Sequence, residues 1–475
     1  MPRSGGRRRT LVLLTLGLAG ALRGGVTDGA IDAFIASELP ASGAPGLAYA
    51  VVTDGEITAA GAHGVMRLGG DMAVTPDTPF ISGSIAKSFT ALAVMQLVES
   101  GKLGLDDPVS RYLPNFAGRP AGAITLRQLL SHTSGFSTFQ GNRSRRDHTL
   151  DALAHQADVL ADETPAYAPG EKWEYSNANY QILGRVIEVV SGQSYQNYIA
   201  THILKPVGMT HSFVADGEIH DDMATGHRPW FGTKLPLAEN RTTRGTAPQG
   251  GIVASANDLA RYLAVMMNGR DDVLSAEGKA AMMQPANAVS PFYGLGWFLH
   301  AEDGTVSHTG NTPGCETLAL MLPAERKGVV VLVNAGGGMG FGETVELRVG
   351  LAARALGLDY AGEEPRWSVR MLFITLVVLP VIFLLCMIWA WQHRRALRAK
   401  SGWAGKFSLW FPLGTTLASI WVMLDLVPRL NGASFATLNR FQPDLGLLLI
   451  ATPVMGVLWA MFRLVVAHTG RSDPA

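Results

Sequence analysis

"GLAYAVVTDGEITAAGAHGV", residues 46–65, holds two apolar runs on either side of Asp54-Gly55. Asp-Gly between such runs is a strong hairpin signal, because both residues tolerate the positive φ that a tight two-residue turn demands. The stretch therefore predicts two antiparallel strands. A helix over roughly Gly29–Glu38 precedes them. Far along the chain, "GTVSHTG" (304–310), "ETLALML" (316–322) and "GVVVLVNA" (328–335) predict three more strands. "GETVELRVGLAARAL" (342–356) comes next as a helix. Between these ends the pattern is mostly helical. Its clearest helices are "IAKSFTALAVMQLVES" (85–100), closed by Gly101, then "TLRQLLSH" (125–132), "NYQILGRVIEVVSG" (179–192) and "ANDLARYLAVMMNG" (256–269). Ser255 and Asp258 have capping-box spacing for the last of these. Strands at both ends with helices between them predict a discontinuous α+β fold. One antiparallel sheet is shared by the N- and C-terminal segments and flanked by their helices, with an inserted helical lobe beside it.

Composition bounds the surroundings of this domain. The 475 residues carry a formal net charge of zero, so global charge points to neither nucleic acid nor a polyanionic partner. The two cysteines, Cys315 and Cys386, form no CxxC motif and no disulfide framework. "MPRSGGRRRTLVLLTLGLAGAL" has a basic start, an apolar run from Leu11, and Ala19 and Ala21 at cleavage-site spacing. It reads as a signal peptide over 1–21 or as an uncleaved anchor, and either exports the domain behind it. At the other end, Met371–Trp391 carries no charge and is long enough to cross a bilayer core of ~30 Å. Further apolar segments lie near Phe407–Val427 and Leu445–Val466. The loop after the first span holds Arg394, Arg395, Arg398, Lys400 and Lys406 and no acid. The positive-inside rule puts that loop in the cytoplasm and the residues before Met371 outside. Trp389, Trp391, Trp403 and Trp410 stand where interfacial aromatics belong, and Asp425 and Arg429 read as simple interfacial residues. The expected organisation is a signal segment 1–21, an exported domain 22–360, a linker 361–370 and a membrane tail 371–475.

The chemistry is concentrated in three places. In "FISGSIAKSFTA" (80–91), Ser84 and Lys87 stand three residues apart where a helix begins. If the helix starts at Ser84 they share a face, so the amine reaches the hydroxyl. Ile85, Phe89, Leu92, Ala93, Val94 and Leu97 make the helix apolar on most sides, which predicts a buried lysine. Burial favours the neutral amine, which can act as a base. The second place is Tyr175-Ser176-Asn177: a phenol near a lysine relays protons, and an amide orients a substrate amide. The third is His308-Thr309-Gly310, side chains over the site if the strand is an edge, with Gly310 letting a substrate backbone approach. Each has a plainer reading: a chance SxxK, a helix start with an aromatic staple, and a polar strand ending in a turn. His132 reads as structural, His227 as loop structure and Cys315 as a small loop residue. No spacing suggests a metal site, and no Gly-rich loop suggests a phosphate cofactor.

The three motifs in this order resemble the serine β-lactamase and penicillin-binding protein superfamily, whose logic is Ser-x-x-Lys, a second polar motif, then Lys-Thr-Gly. The Tyr-x-Asn form of the second motif is similar to the class C β-lactamase, DD-peptidase and esterase branch. "ITLRQLLSHTSGF" and "PQGGIVASANDLARYL" are similar to that branch's connecting segments. The resemblance covers the exported domain and not the tail. It implies Ser84 as acylated nucleophile, Lys87 and Tyr175 in proton transfer, and Asn177, His308, Thr309 and Gly310 in substrate binding. The backbone N–H groups of Ser84 and Asn311 would form the oxyanion hole. His308 departs from the usual lysine and should grip a carboxylate less firmly. The implied function is an exported, membrane-anchored serine hydrolase with no cofactor, acting on a small-molecule or peptide amide or ester. D-amino-acid peptides and carboxylic esters are rival substrates, with β-lactams third. A receptor that is acylated without turnover is the alternative of another class. The implied partners are substrate and the lipid bilayer, with no nucleic acid.

Overall fold

The computed structural model describes residues 28–143, 147–362 and 366–469. The expected signal segment lies outside the described residues. Helix α1, Asp28–Ser42, leads into strands β1, Gly46–Thr53, and β2, Glu56–Gly64. Asp54 (φ +52°) and Gly55 (φ +90°) make the hairpin turn, both in the left-handed region the dipeptide predicts.

The helical lobe contains α2, Ala86–Glu99, α3, Asn177–Ser191, and α4, Ala256–Met267. A short hairpin, β3 (His227–Trp230) and β4 (Thr233–Pro236), lies within the same stretch of chain. The chain then returns through β5 (Phe298–His300), β6 (Thr305–Thr312), β7 (Cys315–Leu322), β8 (Lys327–Val333) and helix α5, Val345–Leu356. The main sheet is antiparallel with order β2-β1-β8-β7-β6-β5, so residues from both ends of the domain pair side by side, Leu47 with Val333 and Thr53 with Lys327. The α+β expectation is met, and β5 is an edge strand that the sequence pattern did not reveal.

Strand β1 explains why its sequence is a continuous apolar run. Ala48, Ala50 and Val52 face the helical lobe, while Leu47, Tyr49 and Val51 pack with Ile31, Ile35, Leu347 and Leu351 of α1 and α5. Both faces are covered, so alternation with polar residues is lost. Helix α2 is apolar almost all round because it runs through the lobe's core, with eleven buried residues. Ser255 caps α4 by accepting from the Asp258 N–H. The reciprocal half of the expected box is replaced: the buried Asp258 carboxylate accepts from His211 N–H and Ser212 and pairs with Arg261.

Three helices beyond this domain are long and apolar enough to cross a membrane: α6, Trp367–Gln392, α7, Gly402–Leu430, and α9, Pro443–His468. Each contains one of the expected apolar segments and extends beyond it. The seven-residue α8, Phe435–Phe441, joins the last two. The ends of α9 lie apart by about 39 Å at 1.5 Å per residue. Near its start, Asp444 Oδ2 accepts from Phe231 N–H of the hairpin at 3.0 Å. Near its end, Val466 O accepts from Arg398 of the basic loop at 3.2 Å. The basic loop and the globular domain therefore sit at opposite ends of the tail.

Candidate active site

The turn before α2 is built to hold one side chain out. Residues Gly83–Ile85 form a 3₁₀ turn and the α-helix begins at Ala86, two residues later than a start at Ser84. Ser82 is tied to the strand Ile252–Ala254: its N–H and its hydroxyl both donate to Ile252 O, at 2.8 and 2.7 Å. Thr317 of β7 donates to Ser82 O at 2.7 Å. Gly83 has φ +58°, and a Cβ there would lie 2.8 Å from Asn311 N. Only glycine fits, and the backbone N–H of Asn311 is thereby brought beside the turn that carries Ser84.

Lys87 is fully buried one turn on. Its Nζ lies 3.0 Å from Ser84 Oγ, 2.8 Å from Asn177 Oδ1 and 2.8 Å from Gln249 O. Burial holds its pKa well below the ordinary lysine range. A neutral amine has two hydrogens and one lone pair. The two carbonyl oxygens take the hydrogens, so the lone pair is left for the Ser84 hydroxyl. Asn177 opens α3 and uses its other end to donate to Asn142 Oδ1 at 3.0 Å.

Tyr175 sits across Lys87, with Nζ 4.8 Å from its ring centroid. Among the described residues its buried hydroxyl makes no hydrogen bond of normal geometry. Burial raises its pKa, and the facing Ser84 opposes that rise only in part. The phenol therefore keeps its proton, which suits a relay rather than a base. Its ring packs against that of His132 in a tilted arrangement, 4.3 Å between centroids. His132 is buried and accepts at Nδ1 from Ser176 N–H and from Asn179. Its expected structural reading agrees with this: it braces Tyr175.

The third motif departs from expectation in two ways. His308 is buried, not presented to a substrate. Its Nδ1 donates to Thr309 O at 2.7 Å and its Nε2 accepts from Tyr293 at 3.2 Å. Burial, and secondarily Lys87, push its pKa down to about 3. The ring is neutral over the physiological range, so it is no cation for a carboxylate. Gly310 is required by the protein itself: a Cβ there would meet Ser82 O at 2.0 Å and Thr317 Oγ1 at 2.2 Å. Close approach of the turn that carries Ser84, rather than of a substrate backbone, explains the glycine. Thr309 and Asn311 are exposed, on the half of β6 that runs past the end of β5.

Ser84, Asn177, Gln249 and Asn311 line a cleft of about 680 Å³. Cys315 also lines it, as the buried first residue of β7 rather than a loop residue, with its thiol pushed up to about 12 by burial. The cleft's far wall is unexpected. Arg228 of β3 contributes to it, and so do Thr437, Arg440 and Phe441 of α8 in the C-terminal tail. Arg429, expected as a simple interfacial residue, pairs with Asp425 and also lies over the Phe139 ring of the globular domain. No pattern of spacing signals these contacts.

With this geometry in place, comparison with known proteins decides the family. A family model described as Beta-lactamase matches residues 29–354. The chain belongs to the β-lactamase family. It is 29% identical over 314 residues to protein flp of Staphylococcus aureus, covering 64% of this chain and 62% of that protein. The chain thus spans less than two thirds of that relative's length. It is 33% identical over 316 residues to penicillin-binding protein 4 of Amycolatopsis lactamdurans, covering 62% of this chain and 81% of that one. Among solved structures, the D-alanine carboxypeptidase AmpC of Burkholderia cenocepacia superposes with a TM-score of 0.56 at 25% identity, over 69% of this chain and 98% of that one. The match of the family model ends before the three apolar helices, which fit a membrane tail.

Proposed function

We propose that this member of the β-lactamase family is a membrane-anchored serine hydrolase working through an acyl-enzyme on Ser84. One observation carries the reading: a fully buried lysine, free of any carboxylate partner among the described residues, stands 3.0 Å from Ser84 Oγ. Ser84 Oγ attacks the substrate carbonyl as its proton passes to Lys87. The oxyanion is held by the N–H groups of Ser84 and Asn311. The proton then reaches the leaving amine or alcohol through Tyr175, the C–N or C–O bond breaks, and water hydrolyses the ester on Ser84 by the reverse route. Removing one oxyanion donor typically costs about 2.7–4 kcal/mol.

The substrates are amides or esters such as D-amino-acid peptides or β-lactam-like compounds. A carboxylesterase is the second reading, favoured by the neutral His308 where a fixed cation would hold a carboxylate. The proposal includes an extracytoplasmic catalytic domain, and the basic loop at the far end of the tail supports it. Mass spectrometry of the full chain after exposure to penicillins, D-alanyl peptides and short-chain esters tests the reading. The expected result is an adduct or product that depends on Ser84. No adduct and no product with any of the three classes would overturn it.

A further inference from the structure

The cleft wall supplied by the tail is a built part of the site. Asn142 Nδ2 donates to Gly432 O at 2.9 Å, and Thr437 Oγ1 donates to Asn142 O at 3.1 Å. The same Asn142 accepts from Asn177, which accepts from Lys87. A continuous set of hydrogen bonds thus runs from the catalytic lysine to the loop between α7 and α9. The loop is fastened again beyond α8, where Gln442 donates to Gly337 O at 2.7 Å and Asp444 accepts from Phe231 N–H.

The cleft carries an excess of positive charge. Arg228, Arg241 and Arg440 line it, and Glu239 is the one carboxylate among the lining residues. Glu239 is taken by Arg241 at 3.2 Å. Arg228 makes no ion pair among the described residues, and its Nε is buried without a hydrogen-bond partner. A guanidinium that lines a cleft without an ion-pair partner is suited to a carboxylate or phosphate, which it meets with two parallel hydrogen bonds. Height matters too. Arg440 stands three residues before Pro443, where α9 begins, so this wall lies at the membrane end of the domain.

We propose that the loop between the second and third membrane helices is a substrate-binding wall of the catalytic cleft, and that Arg440 on it and Arg228 on β3 select esters or amides joined to an anionic group, carboxylate or phosphate. This deepens the hydrolase reading and rests on it. The selectivity denied to His308 by its burial is supplied by residues outside the three motifs, one of them from the tail. The anion can sit on a soluble molecule or on an amphiphile in the bilayer, since the wall reads the same oxyanion on either.

The test uses the full chain in lipid nanodiscs with para-acetoxybenzoate and its uncharged carboxamide analogue. The wild type should favour the anionic ester in kcat/KM. Arg440→Gln and Arg228→Gln should each cut that ratio on the order of tenfold, mainly through KM, and Arg440→Lys should restore part of it. A ratio unchanged in both glutamine variants overturns the proposal, as does an equal loss for both esters. Repeating the pair with a palmitoyl in place of the acetyl group separates the sources. A preference confined to the long-chain pair points to a bilayer amphiphile, and one shared by both pairs to a soluble anion. Binding of para-hydroxybenzoate against para-hydroxybenzamide to the Ser84→Ala protein reads the same wall without turnover. If no ester is hydrolysed, the hydrolase reading fails alone. The anionic wall then stands or falls on whether Arg440→Gln weakens binding of the benzoate more than of the benzamide.

Discussion

The start of α2 and the loop before α9 meet at one cleft, but they are specified in different ways. At α2, the pieces are close in sequence: a positive-φ glycine, a serine, and a lysine one turn later on a helix apolar almost all round. The loop before α9 reaches the site only through contacts such as Asn142 with Gly432, 290 residues apart. One region needs local geometry and a buried environment. The other needs the whole tail to be docked. The first should therefore control whether chemistry occurs, and the second how fast and on what.

The sharpest way to break this division is Ser84→Ala. It should abolish hydrolysis and covalent labelling by serine-reactive probes while the fold survives, because Ser84 is partly exposed and its turn is held by Ser82, Gly83 and Thr317. Labelling of the variant at the wild-type rate would remove Ser84 from the mechanism.

Next in size are Lys87→Ala and Tyr175→Phe. Each should slow acylation by ~10²–10⁴-fold, and the double variant should be little worse than the poorer single one. Losses that multiply would mean separate proton paths. The pH dependence has a definite sign. Acylation needs neutral Lys87, so its rate rises as pH climbs through a pKa held by burial well below the usual lysine value. Stopped-flow acylation across pH should show that limb in the wild type and lack it in Lys87→Ala.

Legibility in the sequence obeys the same division. The hairpin at Asp54-Gly55, the individual strands of the shared sheet, the buried lysine and the three apolar helices are all local patterns of turn chemistry or periodicity. The roles of His308 and Gly310 differ from their sequence expectation for a physical reason. Alternation along a strand says which residues share a face, but not whether a neighbouring element covers it. Tyr293 covers His308, and the Ser82 backbone covers Gly310. Arg228, Asn142 and Arg440 carry no motif, since their place depends on how β3 and the tail dock.

The clamp at Asn142 sharpens the comparison at a smaller scale. Asn142→Leu should lower the acylation rate by roughly tenfold, as Asn177 loses the partner that orients its carbonyl toward Lys87. Thr437→Val removes a single hydrogen bond to the same residue and should cost less, on the order of 1 kcal/mol. The two should couple in a double-mutant cycle, since they share Asn142. Additive effects on the acylation rate would show that the tail does not act through Asn142.

The smallest effect belongs to His308, which tests whether the motif region itself discriminates charge. With its pKa down at about 3, the ring stays neutral from pH 5 to pH 8. The ratio of kcat/KM for the anionic over the neutral ester should therefore be flat across that range. A ratio that climbs as pH falls through about 6.5 would mean that His308 takes up a proton and reads the carboxylate. The same depressed pKa has a cost in stability. An unfolded histidine binds its proton near pH 6.5, the folded one not until about 3, so the unfolded state gains as acid is added between those values. That group alone contributes up to about 1.4 kcal/mol of lost stability per pH unit over the window. His308→Asn should remove one proton's worth of the slope when denaturant unfolding of the full chain in detergent is followed from pH 6.5 downward. An unchanged slope would place the proton uptake elsewhere, with the buried His132 as the next group to replace.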